Sequence, residues 1–125
     1  MFGYSSCKLF YFLGMFAVVL GHFYFVYKQW FKWPELCADL TELEGGEVAK
    51  TAFLGRSFAS YNASVGLGLI LSFRLSTEAM FSVQAIVLAM IVATAAVGSS
   101  GVRGNKILVG RLAPAAFALV FLFLK

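Results

Sequence analysis

Charge is what this sequence has least of: ten Lys and Arg with six Asp and Glu make up 13% of its 125 residues, against about 25% in soluble domains. The acids are also unevenly spread, five of the six falling between Glu35 and Glu47. So little charge excludes an ordinary soluble domain. The single histidine, His22, leaves no histidine cluster for a metal, and no serine, histidine and acid set for acyl transfer can be assembled around it. Cys7 and Cys37 are the only cysteines, and their spacing fits neither a metal site nor a redox pair. Strict apolar and polar alternation is missing, which sets aside a β-barrel. A phosphate loop is missing too, because Gly66 and Gly68 sit inside an apolar run. No small-residue cleavage site follows the first apolar stretch, which we therefore read as a span and not as a removed signal.

What is present is apolar: 61% of the residues, with a mean hydropathy of +0.86. Four stretches, 9–27, 52–73, 79–97 and 107–124, each approach the roughly 20 residues that cross a bilayer core as helix. We therefore expect a single all-helical membrane domain over 1–125, a four-helix transmembrane bundle. The stretches Arg74 to Glu78 and Gly98 to Lys106 read as short hairpin loops. Four crossings put both termini on one face. Lys8, Arg74 and Lys125 then lie on that face and Lys28, Lys32, Lys50, Arg103 and Lys106 on the other, a bias that places the termini outside and the long first loop inside. Cys7 and Cys37 fall on opposite faces and should not bridge each other. The cations form no basic stripe beside stackable aromatics, so no nucleic-acid partner is expected.

The first loop, WPELCADLTELEGG, has internal order. Pro34 suits a first helical turn, and Leu36, Leu40 and Leu43 recur at helical spacing. Glu35, Asp39, Glu42, Glu44 and Glu47 cover the remainder, and Gly45-Gly46 should end the helix. This predicts a short amphipathic helix whose acids, Glu35, Asp39 and Glu42 foremost, are either a solvated face or a docking patch for a basic partner.

Small residues recur in the second span (Gly55, Ala59, Ala63 and, one step round, Ser60, Ser64, Gly68) and in the third (Ala85, Ala89, Ala93). In lipid, close approach along such stripes supplies the contact between helices, so these two spans are expected at the centre of the bundle. The first span is instead rich in Phe and Tyr, and Tyr27, Trp30 and Trp33 sit where an interfacial aromatic belt belongs.

Polar groups inside spans are functional candidates by default. Arg56 and Arg111 each lie about one turn inside a span and His22 one to two turns from the same face, so the three should converge. Such a lining could hold a lipid headgroup, a quinone-like ring or a small carboxylate. The structural account is that arginines near a helix end snorkel their heads into the polar zone. Pro114 removes the helical bond to the Gly110 carbonyl, kinking the fourth span beside Arg111, while Gly110 admits a neighbouring helix. The expected partners of Arg111 are the acids from Glu35 to Glu47, a lipid phosphate or another subunit. Asn62 and Gln84 are read as bridges between helices. No catalytic residue, metal or cofactor is expected.

Three stretches carry a family resemblance: HFYFVYKQWFKW (His22 to Trp33), the SYN of Ser60 to Asn62, and KILVGRLAPAAFAL (Lys106 to Leu119). They resemble the small four-helix integral membrane proteins of the domain-of-unknown-function 1304 family, over most of the chain, as a divergent member. The family's histidine falls on His22 and its tryptophan on Trp33, while its glutamate position is occupied by Gln29. Of its N-Q-G-x-Y-N run, Tyr61 and Asn62 remain, with Ser57 and Phe58 in place of the first two polar residues. Its fourth-span glutamine falls on Arg111. The resemblance implies architecture more than activity.

Two functional expectations follow. One is a non-catalytic accessory or structural subunit of a larger membrane complex, with membrane lipids and other membrane subunits as partners, in an organelle inner membrane (mitochondrion or plastid) or a bacterial plasma membrane. The other is a small binding or transport protein for a lipid-like or anionic ligand, using His22, Arg56 and Arg111.

Overall fold

The computed structural model describes residues 3–43 and 45–125, and among them there are helices and turns but no strand. Six α-helices run in the order α1 (Tyr4–Phe31), α2 (Trp33–Leu40), α3 (Gly46–Lys50), α4 (Ala52–Ser72), α5 (Thr77–Ser100) and α6 (Ala113–Leu124), with a π-helical turn, Leu108–Leu112, leading into α6. The chain is all-helical, as its lack of alternation requires. Helix α1 outruns its apolar stretch at both ends, since backbone bonding continues through Lys8 and Lys28 whatever the side chain.

Helix α2 is the expected amphipathic helix. Pro34 sits in its first turn, Leu36 and Cys37 are buried, and Glu35 and Asp39 are exposed. It stops sooner than Gly45-Gly46, at Thr41, whose hydroxyl donates to the Cys37 carbonyl at 2.8 Å and accepts from the Leu43 amide at 3.2 Å. A threonine able to bond its own backbone competes with helix continuation. Gly45, at φ 58°, instead precedes α3, and Glu44 lies outside the described residues. Ser76 caps α5 by accepting from the Ala79 amide at 3.4 Å.

Ahead of Pro114 the helix widens. The Ala113 amide bonds the Leu108 carbonyl, five residues back. A proline cannot donate to the carbonyl four residues before it, and the longer reach of a π turn restores bonding around the gap. The expected kink therefore takes this form.

The arrangement of helices differs from the expectation. Helix α1 is the centre, packed most extensively against α4 and α6, whereas α4 and α5 touch lightly. Gly55, Ala59 and Gly66 of α4 do face inward, but onto α1 and its continuation: a Cβ on Gly55 would lie 2.7 Å from both the Gln29 carbonyl and the Trp33 ring, and one on Gly66 3.0 Å from the Phe23 ring. Likewise a Cβ on Gly14 would meet Phe117 at 2.9 Å, and one on Gly110 would meet Phe25 at 2.9 Å. Aromatic rings fill hollows left by glycines, and this supplies the van der Waals contact between helices. Ser60, Ser64 and Gly68, like Ala89 and Ala93, are left exposed.

The apolar core gathers Tyr11, Met15 and Val18 of α1, Leu69 of α4, Leu88 and Ile91 of α5, and Ala115, Ala118 and Leu122 of α6. A polar knot crosses it. The Tyr11 hydroxyl donates to Gln84 Oε1, and Gln84 Nε2 donates to Ser72 Oγ at 2.8 Å, so Gln84 bridges α5 to both α1 and α4. Among the described residues two helices are long and apolar enough to cross a membrane, Ser5–Phe31 and Thr77–Ser100; Leu108–Leu124 is a shorter apolar helix.

Candidate functional site

The C-terminal ends of α1 and α5, the N-terminal half of α4, helix α2 and the π turn surround a cavity of about 710 Å³, within the roughly 300–1,000 Å³ of small-molecule sites. Most of its wall is apolar: Leu40, Leu43, Leu54, Phe58, Val102 and Ile107. Gln29, Ser57, Tyr61, Asn62, Thr94 and Arg111 supply the polar part.

Each polar side chain is placed by its helix. The Asn62 Nδ2 group donates to Gln29 Oε1 at 2.8 Å, joining α4 to α1 as expected of a bridging amide. Asn62 is only 2% exposed, yet its Oδ1 has no hydrogen-bond partner among the described residues. The same holds for Arg111 Nε. The guanidinium lies within electrostatic reach of Tyr61, next in sequence to Asn62. Trp33 is fixed by donating its Nε1 proton to Thr51 Oγ1 at 3.1 Å.

Of the three residues expected to converge, two meet. His22 is fully buried and within electrostatic reach of Arg111, because Gly21 abuts the Gly110 carbonyl: a Cβ built on Gly21 would lie 2.3 Å from that oxygen. His22 is not among the residues that line the cavity. Its Nδ1 is 2.9 Å from the Val18 carbonyl. A carbonyl only accepts, so Nδ1 carries a proton, while Nε2 has no partner among the described residues. Arg56 is exposed and stands apart from the cavity. It follows Gly55, which faces α1, and one residue turns the side chain about 100° round the helix.

The acids also depart from expectation. No described carboxylate pairs with Arg111. Glu35 is engaged by Lys28 at 3.9 Å and Lys32 at 4.0 Å, and Asp39 by Lys106 at 2.6 Å. That hydrogen bond holds the Asp39 carboxyl below the usual carboxylate range and raises Lys106 in turn. Glu42 is exposed. Arg103 completes the junction, its guanidinium donating to the Ala38 and Thr41 carbonyls while its amide donates to the Leu40 carbonyl at 2.8 Å. It thereby caps the C-terminal end of α2, where a cation is also favoured by the helix dipole. Arg103 and Lys106 thus hold α2 in place.

Gln29, Ser57, Tyr61 and Thr94 carried no chemical signal of their own in the sequence. The signal that finds most of them is positional: Gln29, Trp33, Ser57, Phe58, Tyr61, Asn62 and Arg111 all stand at positions of the family motifs, and all line this one cavity. Residues 16–123 match the model of a family described as Protein of unknown function (DUF1304). No curated protein and no solved structure matches the chain.

Proposed function

The chain belongs to the DUF1304 family, and from that premise we propose that it is an integral membrane protein of four crossings that binds a lipid-like ligand, without catalysis, in the cavity under α2. The crossings are α1, α4, α5 and the π turn with α6, both termini lying on the face opposite the cavity. Support for the membrane comes from burial: only 33% of the apolar window of α1 and 22% of that of α5 are covered by the protein. The core helix of a soluble protein would be mostly covered, and here Leu13, Phe16 and Leu20 of α1 and Ile86, Met90 and Val97 of α5 face outward. Helix α4, 21 residues long and packed against α1, is read as a span beside it.

The observation that carries the binding reading is the cavity itself, apolar over most of its wall with unpartnered buried polar atoms at Asn62 and Arg111. An apolar chain with a polar end matches that distribution. Purification in mild detergent followed by mass measurement of the intact protein tests it. Lipid should travel with the wild type, and Ser57→Trp, which places an indole in the cavity, should lose most of it with helical content intact. Equal retention by both would refute the reading.

A second reading, an accessory subunit of a larger complex, is favoured by the exposed small residues Ser60, Ser64 and Gly68 of α4, a surface that suits close approach of another helix. Migration as a large assembly in the same detergent would support it.

A further inference from the structure

We infer that the ligand is an amphiphile whose headgroup is anionic and also bears a hydroxyl, the anion held by Arg111 and the hydroxyl donating to Asn62 Oδ1. This rests on the binding reading above and deepens it.

The donor and acceptor inventory of the cavity sets these requirements. A guanidinium only donates, and Arg111 Nε is buried with no acceptor among the described residues. Among the described acids of the first loop none pairs with it: Glu35 is engaged by two lysines, Asp39 by Lys106, and Glu42 and Glu47 are exposed. A buried N–H of a charged group left without an acceptor is costly, and an anionic group on the ligand supplies that acceptor. Asn62 poses the opposite requirement. Its amide nitrogen is committed to Gln29, and the remaining Oδ1 can only accept, so the ligand must present a proton there. An ammonium would satisfy Asn62 but would be repelled by the Arg111 guanidinium, which lines the same cavity. A hydroxyl meets the need without charge. Leu40, Leu54, Phe58, Val102 and Ile107 then form a wall suited to an acyl chain.

The test measures binding of defined lipids to the full chain in a non-ionic detergent. Phosphatidylglycerol is anionic with hydroxyls, phosphatidylmethanol has the same charge without them, and phosphatidylcholine has neither net charge nor hydroxyl. Wild type should prefer phosphatidylglycerol to phosphatidylmethanol by about tenfold, one hydrogen bond to a buried acceptor, and either to phosphatidylcholine. Arg111→Gln should level the two anionic lipids with phosphatidylcholine. Asn62→Ala should level phosphatidylglycerol with phosphatidylmethanol while keeping both above phosphatidylcholine. Equal binding of all three lipids by the wild type overturns the inference and leaves the binding reading standing; no retained lipid at all overturns both. Displacement of bound lipid by soluble glycerol phosphate at concentrations matching phosphatidylglycerol would show that the chain is dispensable, and overturns the amphiphile. The wild-type ranking decides the matter even where a variant does not fold.

Discussion

At the scale of single residues, the contacts that matter most are those in which one atom more would not fit. Gly21 is the tightest, because a Cβ there would lie 2.3 Å from a backbone oxygen, that of Gly110, and cannot be relieved by a side-chain turn. Gly21→Ala is expected to destabilise the protein by about 1–3 kcal/mol, the usual cost of overpacking. Gly68, with nothing within 4 Å of its Cβ position, is the control: Gly68→Ala should be neutral or stabilise by up to about 1 kcal/mol through helix propensity. Melting midpoints in one detergent check both. Gln84 offers a second case. Its replacement by Leu strands the Tyr11 hydroxyl in the core and should cost about 1–2 kcal/mol, whereas the double variant Tyr11→Phe with Gln84→Leu should recover part of that loss. Neither Gly21 nor Tyr11 stands out in the sequence, since what each one touches lies on another helix.

At the scale of elements, the junction between α2 and the loop before α6 is held by few bonds and is open to titration. Asp39, its pKa lowered by the hydrogen bond from Lys106, favours the docked loop above the ordinary carboxylate range and stops doing so as pH falls through its depressed value. Lys106, raised by Asp39, supports docking below the ordinary lysine range and loses it as pH rises through its elevated value. Docking should therefore hold across neutral pH and loosen at both extremes. Protection of the Arg103 amide, corrected for its intrinsic exchange rate, reports this directly, because that proton is bonded to the Leu40 carbonyl. Asp39→Asn should remove the acid limb. Arg103→Ala should fray the last turn of α2 at every pH, seen as faster exchange of the Leu40 and Thr41 amides, since both guanidinium contacts to its carbonyls are lost together. Helix α2 and the turn at Pro114 were legible in the sequence, Pro34 and Pro114 acting through the missing N–H of each. The end of α2 was not, because Thr41 and Arg103 decide it, and Arg103 is more than sixty residues away.

At the scale of the whole molecule, four crossings demand that the turn after α4 and the region after α2 face opposite compartments. With Cys7 and Cys37 replaced by serine, single cysteines at the exposed positions Glu42 and Glu78 should react with a membrane-impermeant thiol reagent from opposite sides of a sealed vesicle. Labelling of both from one side would reduce the number of crossings between them to an even one and break the proposed topology. The exposed Phe, Leu and Ile of α1, α5 and α6 further predict that the protein stays monodisperse only with detergent or lipid present, which sedimentation with and without detergent measures.

The amino-acid sequence alone determined the helical class, the family and the apolar middle of each long helix, though not where α1 begins and ends. These follow from local causes: apolar run length, the absence of alternation, and prolines that forbid particular bonds. Only the tertiary structure decided that the aromatic α1 is the axis of the bundle, that Arg111 turns inward while Arg56 turns away, and that Asn62 and Arg111 look into one cavity. Those outcomes depend on which ring enters which glycine hollow, and such complementarity exists between helices and not along any one of them.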